Sequence, residues 1–309
     1  MQNPLSIGVD IGGSHITCAA VQIQEGRLIV ETLSRKTYHH EAPADVILKS
    51  WAEALNRSIS KVDESQLAGI GFAIPGPFDY RNGISKMQHK FKYLYGVNIP
   101  KALNPLLRTK SDLPMRFLND ATSFAIGEAW LGEGRGFQKV VVVTLGTGFG
   151  SAFTDNGVPV VAGETVPKEG CLWHLPFKDG IADDYFSTRW LIGEYQKQTG
   201  KKIPGAKELM DKANTDAIAG NLFLEFGQNL ADCLAAPLRN FGPEVLIIGG
   251  NIAHALPLFE EKFLEDLKKA GASPKVVVSK HSEHAALIGS ARLLDDDFWA
   301  KVSGSLPNI

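Results

Sequence analysis

Apolar positions in this chain fall mostly into strand-length runs, and two of those runs bracket glycine-dense turns. Leu5 to Val9 reads as a buried strand, Thr17 to Ile23 as its partner and Arg27 to Thr32 as a third. The pattern then changes period. Trp51, Leu55 and Ile59 recur at helical spacing, which predicts a helix over Ala44 to Ile59. Ala68 to Ile74 is a strand stopped by the turn Pro75-Gly76-Pro77, and Phe78 to Pro100 is irregular, rich in aromatic and basic residues. Met115 to Leu118 is a short strand feeding Asn119-Asp120, a good N-cap pair for a helix over Ala121 to Trp130. A second glycine-rich hairpin spans Val140 to Phe153. Val158 to Asp184 is loop-like, and the chain is mostly helical from there on. Within that part, Asn221 to Leu238 is a helix, Pro243 to Ile248 a buried strand, Lys275 to Val278 a last strand and Ala285 to Leu294 a last helix. Strands mixed with helices, and hairpins beside crossovers, predict an α/β protein with mixed sheets.

The 309 residues give a prior of about two domains. No linker composition separates them, so the boundary is expected at a hinge near Leu118 to Asp120. Hydrophobic residues make up 44% and charged residues 21%, with a net charge of −2, which offers no electrostatic footprint for nucleic acid or an anionic membrane. No apolar run approaches the roughly 20 residues of a membrane span. The N-terminus, MQNPLS, enters the first strand at once, so no signal peptide is expected, and three scattered cysteines (Cys18, Cys171, Cys233) fit a reducing cytoplasm.

The two hairpins, LSIGVDIGGSHITCAAV and VVVVTLGTGFGSAF, carry the chemistry. Glycine tolerates positive φ and lets backbone approach a ligand, and successive N–H groups at such turns make an anion-binding concavity. Asp10 and Ser14 in the first hairpin, and Thr144 and Thr147 in the second, add a carboxylate and hydroxyls. One such hairpin would be a plain tight turn; two alike suggest a duplicated fold gripping a polyphosphate. Neither is a Walker A loop, and Gly146-Thr-Gly148-Phe-Gly150 continues into strand, where a dinucleotide fingerprint would open a helix. Asp10 beside phosphates could hold Mg²⁺ through water, or could simply brace its turn. Asp120 opens a helix after a strand: it is either an N-cap or the carboxylate that takes a proton from an alcohol during phosphoryl transfer. Gly249-Gly250-Asn251 is either a plain turn or a place for a flat ligand such as adenine.

GVDIGGSHI, FLNDATSFAIGEA, TLGTGFGSA and VLIIGGNIAHA, in this order, resemble the ROK family of sugar kinases and sugar-responsive repressors, from Ile7 to Leu294. The resemblance implies a two-lobed actin/hexokinase-like (ribonuclease H-like) duplicated α/β fold with mixed sheets. It assigns residues 1–118 to a smaller lobe, joined again by a C-terminal helix about 292–309, and 119–291 to a larger one, the two closing over ATP and a sugar. It puts Asp10, Gly12, Gly13 and Ser14 on the first phosphate motif, with Asp10 toward Mg²⁺. Thr144, Gly146, Thr147 and Gly148 fall on the second, and Gly249, Gly250 and Asn251 on the adenosine motif. Gly76 lies in a loop lining the sugar pocket. Asn119 and Asp120 match the sugar-contacting pair, with Asp120 as base for the 6-hydroxyl of a hexose or N-acetylhexosamine.

Three departures stand out. The family's sugar loop Gly-Glu-x-Gly-His reads GCLWH here, so His174 fits but Cys171 stands at the glutamate, with Glu169 a candidate substitute. A later sugar-contacting glutamate falls on Asp183. The zinc stretch Cys-x-Cys-Gly-x-x-Gly-Cys is replaced by KDGIADDYFS. Tetrahedral zinc takes about four ligands and Cys171 and His174 supply two, so no structural zinc is expected. The resemblance also implies a homodimer. Competing readings are a catalytically weakened sugar sensor, a ROK regulator without its DNA-binding segment (only nine residues precede Asp10), and a kinase using polyphosphate.

Overall fold

The computed structural model describes residues 3–88, 90–281 and 283–306. The chain forms two units, Met1–Gly132 together with Glu283–Ile309, and Glu133–Ser282. The first begins with β1 (Leu5–Ile11), β2 (His15–Gln22), β3 (Leu28–Thr37), α1 (Ala44–Ile59) and β4 (Leu67–Ala73). A two-residue hairpin, β5 (Phe78–Asp79) and β6 (Ile84–Ser85), α2 (Ile99–Leu103), β7 (Met115–Leu118) and α3 (Asp120–Leu131) complete this stretch. The sheet order is β3-β2-β1-β4-β7, antiparallel through β1 to β3 and parallel through β1, β4 and β7. Central β1 is buried on both faces, as its continuous apolar run requires. Edge strand β3 extends beyond the expected Thr32 to Thr37, pairing with β2 as far as His15 opposite Thr37. Its last residues, Leu-Ser-Arg-Lys-Thr, keep one face exposed, so they escape a search for apolar runs. Helix α1 buries Ile47, Leu48, Trp51, Leu55 and Ile59 as one stripe.

The second unit contains β8 (Lys139–Leu145), β9 (Phe149–Asp155), β10 (Val158–Pro159), β11 (Pro176–Phe177), β12 (Gly180–Ile181) and α4 (Ala182–Tyr185). It continues with α5 (Thr188–Thr199), α6 (Ala206–Lys212), α7 (Ala217–Phe241), β13 (Val245–Gly249), α8 (Glu260–Lys269) and β14 (Lys275–Val278). Its sheet order, β10-β9-β8-β13-β14, repeats the first: a hairpin strand pair on one side of the central strand and two parallel strands on the other. The fold is therefore a duplicated mixed α/β fold. Helix α7 starts four residues before the expected Asn221 because Asp216 caps it, accepting from the N–H groups of Ile218 and Ala219. It ends where Gly242 turns left-handed at φ 65°. Its aromatic residues knit the core: Phe241 meets Phe153 edge-on at 5.2 Å, and Phe226 meets Phe186 and Phe259 at 5.8 Å.

The chain then returns to the first unit through α9 (Glu283–Arg292) and α10 (Asp296–Ser303). Helix α9 lies directly on the strands because small residues let it. A Cβ on Gly8 would sit 2.0 Å from the Leu287 carbonyl oxygen, and one on Gly71 would sit 1.8 Å from that of Ser290. The Val9 N–H donates to Ser290 Oγ at 3.1 Å, and Ser290 Oγ donates to the Leu287 carbonyl. Gly127 and Gly289 bring α3 equally close to α9. Helix α3, which a boundary at Leu118 assigns to the second lobe, thus packs within the first unit, and the division follows Gly132. Among the described residues no helix is long and apolar enough to cross a membrane.

Candidate active site

In the first unit, parallel strands β1, β4 and β7 end level. Asp10 lies opposite Ala73, and Ala73 opposite Leu118. Strands lie about 4.8 Å apart, so Asp10, the Pro75-Gly76-Pro77 turn and Asn119-Asp120 emerge along about 10 Å of one sheet edge. The carboxyl ends of parallel strands are where open α/β sheets place their ligands. Sequence motifs far apart in the chain thus meet on one rim.

The first glycine hairpin turns between β1 and β2. Gly12 N–H donates to the His15 carbonyl at 2.9 Å, while Gly13 and Ser14 are exposed. A Cβ on Gly13 would meet nothing within 4 Å, so the turn faces open space. Tyr38, which the sequence reading did not single out, anchors the turn from behind. Its hydroxyl donates to the Gly12 carbonyl at 2.6 Å and lies 3.0 Å from that of His15; its N–H donates to the Ser14 carbonyl at 2.9 Å. The ring sits among Trp51 and Phe91, at 6.3 and 5.8 Å. Burial raises the phenol pKa well above its ordinary value, with Asp10 adding to the effect, so the hydroxyl stays a donor at any working pH. Drawing turn carbonyls onto one donor group keeps those negative oxygens away from an anion.

Asn119 caps α3, its Oδ1 accepting from Thr122 N–H at 3.2 Å, as the N-cap reading requires. Asp120 is the first helical residue, with Oδ1 accepting from Ala121 N–H at 2.9 Å. Burial raises its pKa; the Ala121 N–H, the positive charge of Lys90 and the Asn119 side chain oppose that rise. A carboxylate pushed upward is a stronger base. The capping and basic readings are compatible here, because two residues share the two tasks.

In the second unit, β8 and β9 carry the other hairpin, closed by Gly146 N–H to the Gly148 carbonyl at 3.1 Å. Thr147 is exposed, Thr144 half-buried, and a Cβ on Gly146 would meet nothing within 4 Å. Thr144 pairs across the sheet with Gly249, so the Gly249-Gly250-Asn251 turn adjoins this hairpin. Gly250, at φ 83°, presses onto the hairpin strand: a Cβ there would lie 2.3 Å from the Leu145 carbonyl oxygen. From this turn the chain continues as a 3₁₀ run, Asn251–Leu258.

The Cys171–His174 loop hangs from β9 by Leu172 N–H donating to Ser151 Oγ at 2.8 Å. Cys171 Sγ lies 3.6 Å from His174 Nδ1 and 3.5 Å from the Lys168 carbonyl. Burial, with Glu169 adding, pushes the thiol up to about 11, so it stays neutral. Glu169 is exposed, adopts a left-handed φ of 59°, and places its carboxylate 3.9 Å from Lys168 Nζ. Asp183 faces the hairpin: Oδ1 accepts from Phe149 N–H at 2.7 Å and Oδ2 from Arg189 Nη2 at 2.8 Å. Ser151 and Arg189 were invisible as site residues in the sequence, being one serine in a strand and one arginine in a helix. Cys171 and His174 give two ligand atoms where tetrahedral zinc takes four, so these residues do not fit that metal. Among the described residues, no three His, Cys, Asp or Glu side chains gather to hold a metal ion.

The ROK family model matches residues 6–297. A glucokinase of Thermotoga maritima is 28% identical to this chain, over 94% of this chain and 97% of its own. An N-acetyl-D-glucosamine kinase of Vibrio parahaemolyticus is 26% identical, over 93% and 98%. The crystal structure of a ROK family glucokinase from Streptomyces griseus, in complex with glucose and AMPPNP, superposes with a TM-score of 0.73 at 21% identity. It covers 94% of this chain and 99% of that one, and it shows the same fold.

Proposed function

The chain belongs to the ROK family as a carbohydrate kinase, and from that premise we propose that it transfers the γ-phosphoryl group of ATP to the 6-hydroxyl of a hexose or N-acetylhexosamine, with Asp120 as general base. The observation that carries this reading is Asp120 itself: a carboxylate held at the rim that Asp10 and Gly76 share, and made more basic by burial. Ala121 N–H donates to its Oδ1 and orients the carboxylate, which takes the sugar proton. As the hydroxyl oxygen bonds to the γ-phosphorus, the bond from that phosphorus to the β–γ bridging oxygen breaks and ADP leaves. Accepting the proton in step is worth roughly 10²–10⁴-fold.

The remaining assignments follow the same reading. Gly12, Gly13 and Ser14 in the first unit, and Thr144, Gly146, Thr147 and Gly148 in the second, bind phosphate. Gly249, Gly250 and Asn251 take the adenosine. Asp10 would hold Mg²⁺ through water, and that ion would neutralise phosphate charge. Asn119 and Gly76 of the first unit, and Cys171, His174 and Glu169 of the second, are assigned to the sugar. The thiol of Cys171 is a weak hydrogen-bonding group, so the grip at that end of the sugar is weaker than a carboxylate would give. The test is a coupled ADP-release screen over hexoses, amino sugars and N-acetylated amino sugars. Sustained sugar-dependent ADP release is expected; saturable sugar binding with no release on any sugar would favour a sensor instead.

A further inference from the structure

The turn of the second phosphate hairpin is held from outside by one short segment. Thr188 N–H donates to the Gly146 carbonyl at 2.7 Å, and Arg189 Nη1 donates to the Thr147 carbonyl at 2.8 Å. Arg189 Nη2 grips Asp183, and Asp183 in turn accepts the Phe149 N–H at the other side of the same turn. Arginine suits this bridge because its planar fork reaches two acceptors at once. Gly148 makes room for the carboxylate: a Cβ there would stand 2.9 Å from Asp183 Oδ1. Both oxygens of Asp183 are therefore engaged on the hairpin and its clamp. The backbone of Asp183 points to a different neighbour. Its N–H donates to the carbonyl of Trp173, the residue before His174, at 3.0 Å, and Ala182 N–H donates to Leu175 at 2.9 Å. One residue thus ties the histidine loop to the phosphate turn through covalent and hydrogen bonds alone.

We propose that Asp183 and Arg189 are a positioning pair for the second phosphate hairpin, and that Asp183 couples the Cys171–His174 loop to it, so that sugar and nucleotide strengthen each other's binding. This rests on the kinase reading above, with the sugar on the histidine loop and phosphate on the hairpin. It gives Asp183 a different task from direct sugar contact. A sugar that orders the Trp173 backbone fixes Asp183, and a fixed Asp183 holds Phe149 N–H and Arg189 in place for phosphate. Coupling of this kind is reciprocal, so nucleotide must also tighten sugar binding by the same factor.

The experiment is calorimetric titration of AMPPNP with Mg²⁺, and of the best-turned-over sugar, each with and without the other. The proteins are wild type, Asp183→Asn, Arg189→Gln, Arg189→Lys and the Asp183→Asn/Arg189→Gln double variant. Charge-assisted hydrogen bonds lost from such a clamp predict a roughly ten- to hundred-fold weaker AMPPNP affinity in each single variant. The double variant is expected to be no weaker than the worse single one, because the two residues act as a unit. Arg189→Lys keeps the charge without the fork and is expected not to restore binding. Sugar affinity measured alone stays within about twofold, and the mutual enhancement is lost. Weakened sugar binding with unchanged AMPPNP binding would overturn the proposal and make Asp183 a sugar ligand. Equal loss of both, with a lowered melting temperature, would overturn it in favour of a purely structural role. Absence of any mutual enhancement in wild type would overturn the coupling. Absence of AMPPNP binding in wild type would instead sink the kinase reading on which the pair rests.

Discussion

Replacing Tyr38 by Phe removes one oxygen atom from behind the first glycine hairpin and leaves the aromatic packing in place. The ring keeps its neighbours Trp51 and Phe91, so the core beneath the turn should not collapse. What is lost is the 2.6 Å bond to the Gly12 carbonyl and the 3.0 Å approach to that of His15. A single hydroxyl proton serves these two acceptors, so the loss counts as one hydrogen bond, about 0.5–1.5 kcal/mol. Gly12 is half-buried, so the larger penalty of about 1–3 kcal/mol for a fully buried orphan is not applied. If the bond positions the turn for phosphate, nucleotide affinity falls by about two- to twelve-fold. Initial-rate kinetics with ATP and sugar varied separately read this out. KM for ATP should rise within that range, KM for sugar should hold, and the melting temperature should fall by a few degrees at most. An unchanged KM for ATP would refute the idea that Tyr38 sets the hairpin.

Three further outcomes are expected. Because burial raises the Asp120 pKa and a base must be ionised, kcat/KM should fall as pH drops through a value above the usual aspartate figure of about 3.9; an acid limb at or below that figure contradicts the assignment. Cys171→Glu should restore a charged partner in the sugar loop and improve glucose affinity by roughly ten- to a hundred-fold; a poorer KM for glucose in that variant would show that another group holds that end of the sugar. Gly71→Ala drives a methyl to 1.8 Å from the Ser290 carbonyl, which is backbone and cannot swing aside. Overpacking of this kind costs about 1–3 kcal/mol, so thermal melting should show a clear loss; an unchanged melting temperature would mean α9 is not seated as described.

How far the sequence could be read depended on what kind of interaction each feature rests on. Buried strands such as Val140 to Val143 announce themselves, because burial on both faces demands an unbroken apolar run. The glycine turns were legible for a related reason: Gly250 must be glycine where its backbone meets Leu145. The second half of β3 was not legible, since an edge strand tolerates polar residues that carry no burial signal. The ends of α7 depended on single capping residues, Asp216 and Gly242, which weigh little against a long periodic run. At the candidate site, residues within local motifs (Asp10, Asn119, Asp120, Thr144) could be named from the chain. Tyr38, Ser151 and Arg189 could not, because each acts through a partner distant in sequence, such as Gly12, Leu172 or Thr147. Asp183 shows both sides: its position was legible, while its bond to Phe149 N–H depended on a tertiary approach across 34 residues.

Asp120 is proposed to take the proton of a bound sugar hydroxyl. Asp120→Asn keeps the shape of the side chain and removes the basic oxygen, so binding and chemistry can be separated in one protein. The decisive measurement pairs sugar titration by calorimetry with coupled ADP release on wild type and this variant. With Asp120 as the base, sugar affinity is expected within a few-fold of wild type and turnover lower by roughly 10²–10⁴-fold. Turnover within a few-fold of wild type would contradict it.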